Sequence, residues 1–359
     1  MPTALTLEQL LSQHSVEGLL YEKGPEGRVR CHACAHRCLI PEGKKGICKV
    51  RFNQDGILKV PSGYVGALQV DPIEKKPFFH VLPGSRALSF GMLGCDFHCD
   101  YCQNWINSQA LRDPASESAG AQPQPLTASV LAEWAVKNQC QTVTSTYNEP
   151  LITSEWAVEI FKEARKKNLL TSYVSNGNAT KEVLEFIRPW VDLYKVDLKC
   201  FNDKTYRKVI GGTLKPVLET IERLLAMGFW LEVVTLVIPG VNDSEEELAA
   251  IARFLASLSK DIPWHVTAFH PDYRMEQTPF TAVDQLNLGY EIGKTAGLRY
   301  VYSGNRPGEV GKTENTDCPS CGALLIERHG FKVLKNRLVP QGTCPDCHTR
   351  IPGIWNVPG

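Results

Sequence analysis

Eleven of the thirteen cysteines in this 359-residue chain fall into three sets, and that grouping limits the fold more than any other feature. Cys31, Cys34, Cys38 and Cys48 form the first set, Cys95, Cys99 and Cys102 the second, and Cys318, Cys321, Cys344 and Cys347 the third; Cys140 and Cys200 stand alone. Four, three and four is the arithmetic of two closed metal sites around one open one. The middle set has the spacing C-x3-C-x2-C. Three thiolates so placed can ligate a cubane iron–sulfur cluster that needs four ligands, which leaves one iron open for a small molecule to chelate. A zinc site or three buried thiols would use the same residues.

Composition narrows the class. At 43% hydrophobic residues the chain can bury a large core, and 39 basic against 39 acidic residues leave no net charge. A neutral total gives no general attraction to phosphate backbones or anionic lipid, so there is no strong nucleic-acid signal. Residues 1–20 mix Glu8, Gln9, Gln13, His14 and Glu17 with leucines, unlike a signal peptide. No apolar run reaches the roughly 20 residues of a membrane span. A cytoplasmic protein with reduced thiols and no membrane partner is expected.

The organisation follows the cysteine sets. Residues 1–86 read as a short helix followed by a Gly- and Pro-punctuated Cys-rich cap. From 87 to 311, β-rich runs at 87–93, 142–147, 170–175, 191–199, 230–238, 264–269 and 298–303 alternate with amphipathic stretches at 127–139, 154–167, 180–188, 215–227 and 244–258. That alternation predicts parallel β/α units and an α/β fold, an open, partial (β/α)6-type barrel. Residues 113–125, rich in Pro, Ala, Ser and Gln, read as a flexible insertion. Residues 312–359 are too short for a core and read as a zinc-ribbon-like segment folded around metal. In such architecture chemistry gathers at the C-terminal ends of the strands. Polar clusters stand at those ends: Tyr147-Asn148-Glu149-Pro150, Ser175-Asn176-Gly177, Asp197-Leu198-Lys199, Ile238-Pro239-Gly240 and Phe269-His270-Pro271.

The cysteine triad, with the apolar run before it and Tyr101 just ahead of its last cysteine, resembles the radical S-adenosylmethionine (radical SAM) superfamily. The run 191–199 and the segment 205–211 are similar to the branch that contains pyruvate formate-lyase activating enzymes. The resemblance implies a [4Fe–4S] cluster on Cys95, Cys99 and Cys102, reductive cleavage of S-adenosylmethionine to a 5′-deoxyadenosyl radical, and hydrogen abstraction from a substrate. It implies that Glu149 receives the methionyl amino group, that Asp197 and Lys199 meet polar groups of the cofactor, and that His270 lies beside the adenine. Tyr101, Asn148 and Asn176 complete the implied cofactor-binding set. An electron donor such as flavodoxin or ferredoxin is implied as well. Two departures stand out. Asn148 replaces a glycine of the branch's motif and suggests an extra side-chain hydrogen bond, and Val174 stands where an activating enzyme carries an acid.

The flanking sets differ in kind. Cys318-x2-Cys321 and Cys344-x2-Cys347 are two knuckles of a zinc ribbon, with rubredoxin-like iron as the alternative. Cys31-x2-Cys34-x3-Cys38-x9-Cys48 suits either zinc or an auxiliary iron–sulfur cluster; His32 and His36 could substitute, but four cysteines complete a site. Strand alternation points Cys200 away from Asp197 and Lys199, toward burial as a plain thiol. Over its length the chain resembles the radical SAM protein of the AmmeMemoRadiSam system, through the 31–48 block, Pro72-Ile73-Glu74-Lys75-Lys76-Pro77, Thr146-Tyr147-Asn148-Glu149-Pro150 and Tyr302-Ser303-Gly304-Asn305. AMMECR-type and Memo-type proteins are the implied partners, and no substrate is implied. Activation of a separate glycyl-radical protein, or a non-catalytic iron–sulfur or zinc module that binds RNA or protein, are the alternative functions.

Overall fold

The computed structural model describes residues 5–356. Its centre is one eight-stranded sheet: β1 Ala67–Pro72, β2 Arg86–Gly91, β3 Thr142–Ser145, β4 Leu170–Ser175, β5 Leu193–Asp197, β6 Trp230–Val237, β7 Trp264–Ala268 and β8 Val301–Gly304. The spatial order follows the chain from β1 to β8, and the sheet does not close. β1 runs antiparallel to β2, while the six pairings from β2 to β8 are parallel. Parallel neighbours need crossovers of a dozen or more residues. Helices supply them: α1 Ala128–Lys137, α2 Ser154–Arg165, α3 Lys181–Ile187, α4 Leu214–Ala226, α5 Glu245–Leu258 and α6 Val283–Thr295. Thr127, Thr180 and Ser244 cap α1, α3 and α5 by accepting from the backbone amides of Val130, Val183 and Glu247.

Alternation along the strands gives the sheet two unlike faces. Leu88, Phe90, Val143, Tyr173, Tyr194, Val233 and Val266 pack with Leu131, Phe161, Leu184, Ile221 and Leu255 of the helices. Residues of the other parity include Ser89, Thr144, Ser172, Lys195, Glu232 and His265, all buried and all polar. This face of the sheet therefore carries a buried polar layer. Residues 73–82 close its lower end, where Ile73, Phe78, Val81 and Leu82 pack on Ala87, Leu170 and Leu193 at the starts of β2, β4 and β5.

Three expectations look different in the structure. The boundary drawn at residue 86 falls between paired strands, since β1 matches β2 from Ala67↔Gly91 to Pro72↔Arg86. Residues 113–125 are not a loose insertion. Asp113 caps a short helix, Pro114–Ser118, by accepting from Ala115 N; Ala121 is buried, and Gln124–Pro125 pairs with Tyr64–Val65. Small residues there fit against Leu7, Leu11 and Ile152, which composition alone could not show. The C-terminal segment also shares a core: Leu325, Ile326 and Ile351 pack with Phe79, Tyr300 and Tyr302. α6 lies outside the helical stretches named from the sequence; its Gly289 and Gly293 let it lie against Val266 and Trp264.

Candidate active site

The cysteine triad lies on the loop after β2, at the C-terminal edge of the sheet. Backbone hydrogen bonds fix that loop to the end of the helical segment Tyr206–Ile210: His98 N donates to Ile210 O (3.0 Å) and Asp100 N to Val209 O (3.0 Å). The approach is close enough that a Cβ on Gly212 would stand 2.2 Å from the Phe97 ring. Phe97 N donates to Cys95 Sγ (3.4 Å), and Cys102 Sγ lies 3.1 Å from Ser108 Oγ. Burial pushes the Cys99 thiol up to about 12, while the nearby Lys199 ammonium pulls it down. Ligation to iron requires the thiolate, which a bound metal enforces. A cation already stands where that charge would form.

Lys195, Asp197 and Lys199 share one face of β5 and its extension, as alternation requires. Asp197 bridges them, ion-paired to Lys195 through Oδ1 and 3.6 Å from the Lys199 ammonium through Oδ2. Burial works against Asp197's charge, yet the two lysines hold its carboxyl below the usual range. Burial likewise opposes the charge on Lys199, but Asp197, Tyr101 and Cys99 keep its pKa high. For Lys195, burial wins and its pKa falls. Tyr101 is buried, with its ring centroid 5.8 Å from the Lys199 Nζ.

Glu149 ends the turn after β3 and is 2% exposed. It accepts from Leu151 N (3.1 Å), Ser175 Oγ (2.7 Å) and Asn176 N (2.8 Å). Burial, followed by the charge of Asp96, pushes its carboxyl up to about 8. A carboxylate has about four lone-pair sites, so one is left for a further donor. Asn148 Oδ1 accepts from Met92 N (2.9 Å), tying the turn to the chain before the triad. The Asn176 side chain donates to Asp96 instead of facing outward. His270 follows β7 and is half exposed, its Nδ1 3.2 Å from Pro271 O. Cys200 is fully buried, its Sγ 3.5 Å from Asn202 O.

Sequence reasoning passed over three polar residues here. Asp96, fully buried inside the triad loop, accepts from Asn176 Nδ2 and Asn178 Nδ2, both at 2.8 Å. Lys195 had the same parity as Asp197 and Lys199, which was the available signal. Arg112 Nη2 donates to both Ile47 O (2.7 Å) and Cys95 O (2.8 Å), and nothing local in sequence marks it.

The C-terminal cysteines form a separate site at the opposite end of the sheet. Their four sulfurs all lie within 4.8 Å of one another, with Cys318–Cys347 at 3.5 Å and Cys321–Cys344 at 3.8 Å. A tetrahedral ion bound at about 2.3 Å places its sulfurs about 3.8 Å apart. The site can hold a single metal ion.

Residues 91–254 match the model of the radical SAM superfamily. It is 38% identical over 338 residues to an uncharacterized protein of Methanocaldococcus jannaschii, covering 93% of this chain and 98% of that protein. Over 128 residues it is 30% identical to the isethionate sulfite-lyase activating enzyme of Oleidesulfovibrio alaskensis, across 34% of this chain and 41% of that enzyme. A radical SAM methyltransferase from Sphaerobacter thermophilus superposes with a TM-score of 0.48 at 16% identity, over 67% of this chain and 71% of that one. No helix among the described residues is long and apolar enough to cross a membrane.

Proposed function

We propose that the chain is a radical SAM enzyme in which Cys95, Cys99 and Cys102 hold a [4Fe–4S] cluster and S-adenosylmethionine binds across Glu149, Asp197 and Lys199. The observation that carries this reading is the convergence of a cation on the triad: Lys199 is held charged beside Cys99 by Asp197, at the end of the sheet where the thiols stand. A scaffold needs no such arrangement. When bound, the cluster supplies one electron to cleave the sulfonium, giving methionine and a radical that abstracts hydrogen from substrate.

The residues have separable tasks. Lys199 suits the cofactor carboxylate, and the remaining lone-pair site of Glu149 suits its ammonium. Asp96, with Asn176 and Asn178, fixes the triad loop against the turn after β4. The buried polar face leads down from the thiols through Lys195 and can orient a polar substrate while excluding water. The motifs at 31–48, 72–77 and 146–150 support reading the chain as the radical SAM protein of the AmmeMemoRadiSam system, with AMMECR-type and Memo-type proteins as its proposed partners. Flavodoxin or ferredoxin is the proposed electron source, and zinc the proposed ion at the C-terminal site.

A second reading is activation of a separate glycyl-radical protein, favoured by the similarity to the isethionate sulfite-lyase activating enzyme. Anaerobic incubation of reduced, clustered protein with S-adenosylmethionine tests the first reading: 5′-deoxyadenosine should form, and the Cys95/Cys99/Cys102→Ala triple variant should form none. Equal product from the triple variant rejects the site.

A further inference from the structure

Cys31, Cys34, Cys38 and Cys48 lie outside the superfamily match and are not used by the proposed reaction. Cys31 closes the strand Val29–Cys31, which pairs with Leu39–Ile40 beyond Cys38, so the hairpin returns Cys38 to Cys31; Cys31 N donates to Cys38 O at 3.0 Å. Cys48 comes back on the following loop. Arg37 N donates to Cys34 O (3.0 Å), which turns the chain back toward Cys38, and a Cβ on Gly46, two residues before Cys48, would stand 3.6 Å from Cys38 Sγ. Cys31, Cys34 and Cys48 are 5–6% exposed. Ile47 N already donates to Cys38 Sγ (3.5 Å), a hydrogen bond of the kind that ligand sulfurs receive.

An orphaned donor points to a ligand. Arg51 is 1% exposed and closes the loop of Cys48, Gly46 N donating to Arg51 O (2.8 Å); Glu155 holds its two terminal nitrogens at 2.7 and 2.8 Å, Nη1 also donates to Ile152 O (3.0 Å), and its Nε is buried with no acceptor. A buried cation with a spare N–H suits an anionic sulfur centre. His32 is engaged by Arg37 at 3.0 Å, while His36 Nε2 is buried with no partner and its ring stands edge-on to Phe97 of the triad loop. Among the described residues, only the C-terminal set has all its ligand atoms within 4.8 Å. The N-terminal four and the triad both stand wider than one tetrahedral ion allows.

The site is built onto the triad loop. Arg112 joins Ile47 O to Cys95 O, Ala35 N donates to Asn178 O (2.8 Å), and Asn178 in turn holds Asp96. Gly94 has φ +89°, and a Cβ there would stand 2.8 Å from Cys48 O.

We infer that Cys31, Cys34, Cys38 and Cys48 ligate a second [4Fe–4S] cluster, closed by four thiolates and seated directly behind the loop of Cys95, Cys99 and Cys102. The site is independent of S-adenosylmethionine binding. The test uses the full chain, reconstituted anaerobically with iron and sulfide, with iron and zinc counted and the reduced protein examined by EPR. About eight irons per chain are expected in the native protein, and about four in both the Cys95/Cys99/Cys102→Ala variant and the Cys34→Ser/Cys38→Ser variant. The triple variant should retain a cubane EPR signal, and it decides the matter even if the double variant fails to fold. A triple variant free of iron, or a native protein with about four irons and a second zinc, overturns the inference. Failure of the proposed enzyme is distinguishable: eight irons in a protein that forms no 5′-deoxyadenosine leaves this site standing.

Discussion

Asp96 and Asn176 are joined by a 2.8 Å hydrogen bond from the asparagine Nδ2 to the carboxylate, and Asn178 donates to the other oxygen at the same distance. The triad loop is thereby fastened to the turn after β4 through a fully buried charge. Asp96→Ala removes two charge-assisted bonds and strands two amide donors, at roughly 3 kcal/mol or more. The variant should lose triad iron to a chelator faster than the native protein and melt several degrees lower. Iron held as firmly as before would mean that the bridge does not secure the loop.

Lys199→Ala should weaken S-adenosylmethionine binding while leaving the cluster absorption intact, because the role proposed for the ammonium is to meet the cofactor carboxylate and not to ligate iron. Loss of one charge-assisted hydrogen bond costs roughly 1.5–3 kcal/mol, or about 10- to 150-fold in affinity. Titration of the clustered protein is the check. Unchanged affinity returns Lys199 to a plain ion pair with Asp197.

The strands and most helices were legible because apolar runs and amphipathic stretches alternate at β/α spacing. Asp197 and Lys199 were legible from parity within one strand. Asp96, Asn178 and Arg112 were not, because each acts on a partner 65 or more residues away in one of its contacts, and no local period records that. The order in 113–125 escaped for a related reason: its small residues pack on helix Leu7–Gln13 and on Ile152. Composition reports what a segment contains and not what lies beneath it.

Glu149 gives a pH dependence of definite sign. Its folded pKa is raised to about 8 from 4.5, first by burial and then by Asp96; Ser175, Asn176 and Leu151 donate to it, and Lys195 lies near. Between those values the folded state binds the extra proton, so its contribution to stability falls as pH rises through the window and levels above about 8. A docking ammonium favours the carboxylate, so S-adenosylmethionine binding near pH 7 should release a proton. Calorimetry in buffers of different ionisation enthalpy reads that release, and Glu149→Gln should abolish it. Equal proton release from the variant assigns the proton elsewhere.

Arg51→Met should be costly, because Glu155 is then left as an uncompensated buried charge, a loss of about 3–5 kcal/mol. Arg51→Met with Glu155→Leu should recover much of the thermal stability. If the double variant melts no higher than the single one, the pair is not the source of the loss.

The C-terminal site should govern stability without governing cofactor cleavage. Arg328 of the terminal hairpin donates to Phe79 O (2.7 Å) and lies 3.7 Å from Glu74, while His80 Nδ1 donates to Pro352 O (2.7 Å) and Tyr302 donates to His80 Nε2 (2.6 Å). Burial drives the His80 pKa down to about 4, so the ring is neutral at pH 7 and can take both roles. These contacts bolt the segment to residues 73–82, at the end of the sheet away from the triad. Cys344→Ser/Cys347→Ser should therefore lose one zinc per chain and lower the melting temperature, while the reconstituted protein still forms 5′-deoxyadenosine at a similar rate. Iron in place of zinc at this site, with a rubredoxin-type spectrum, would overturn the assignment of the ion. Loss of cleavage with the triad cluster intact would show that the two ends of the sheet are coupled.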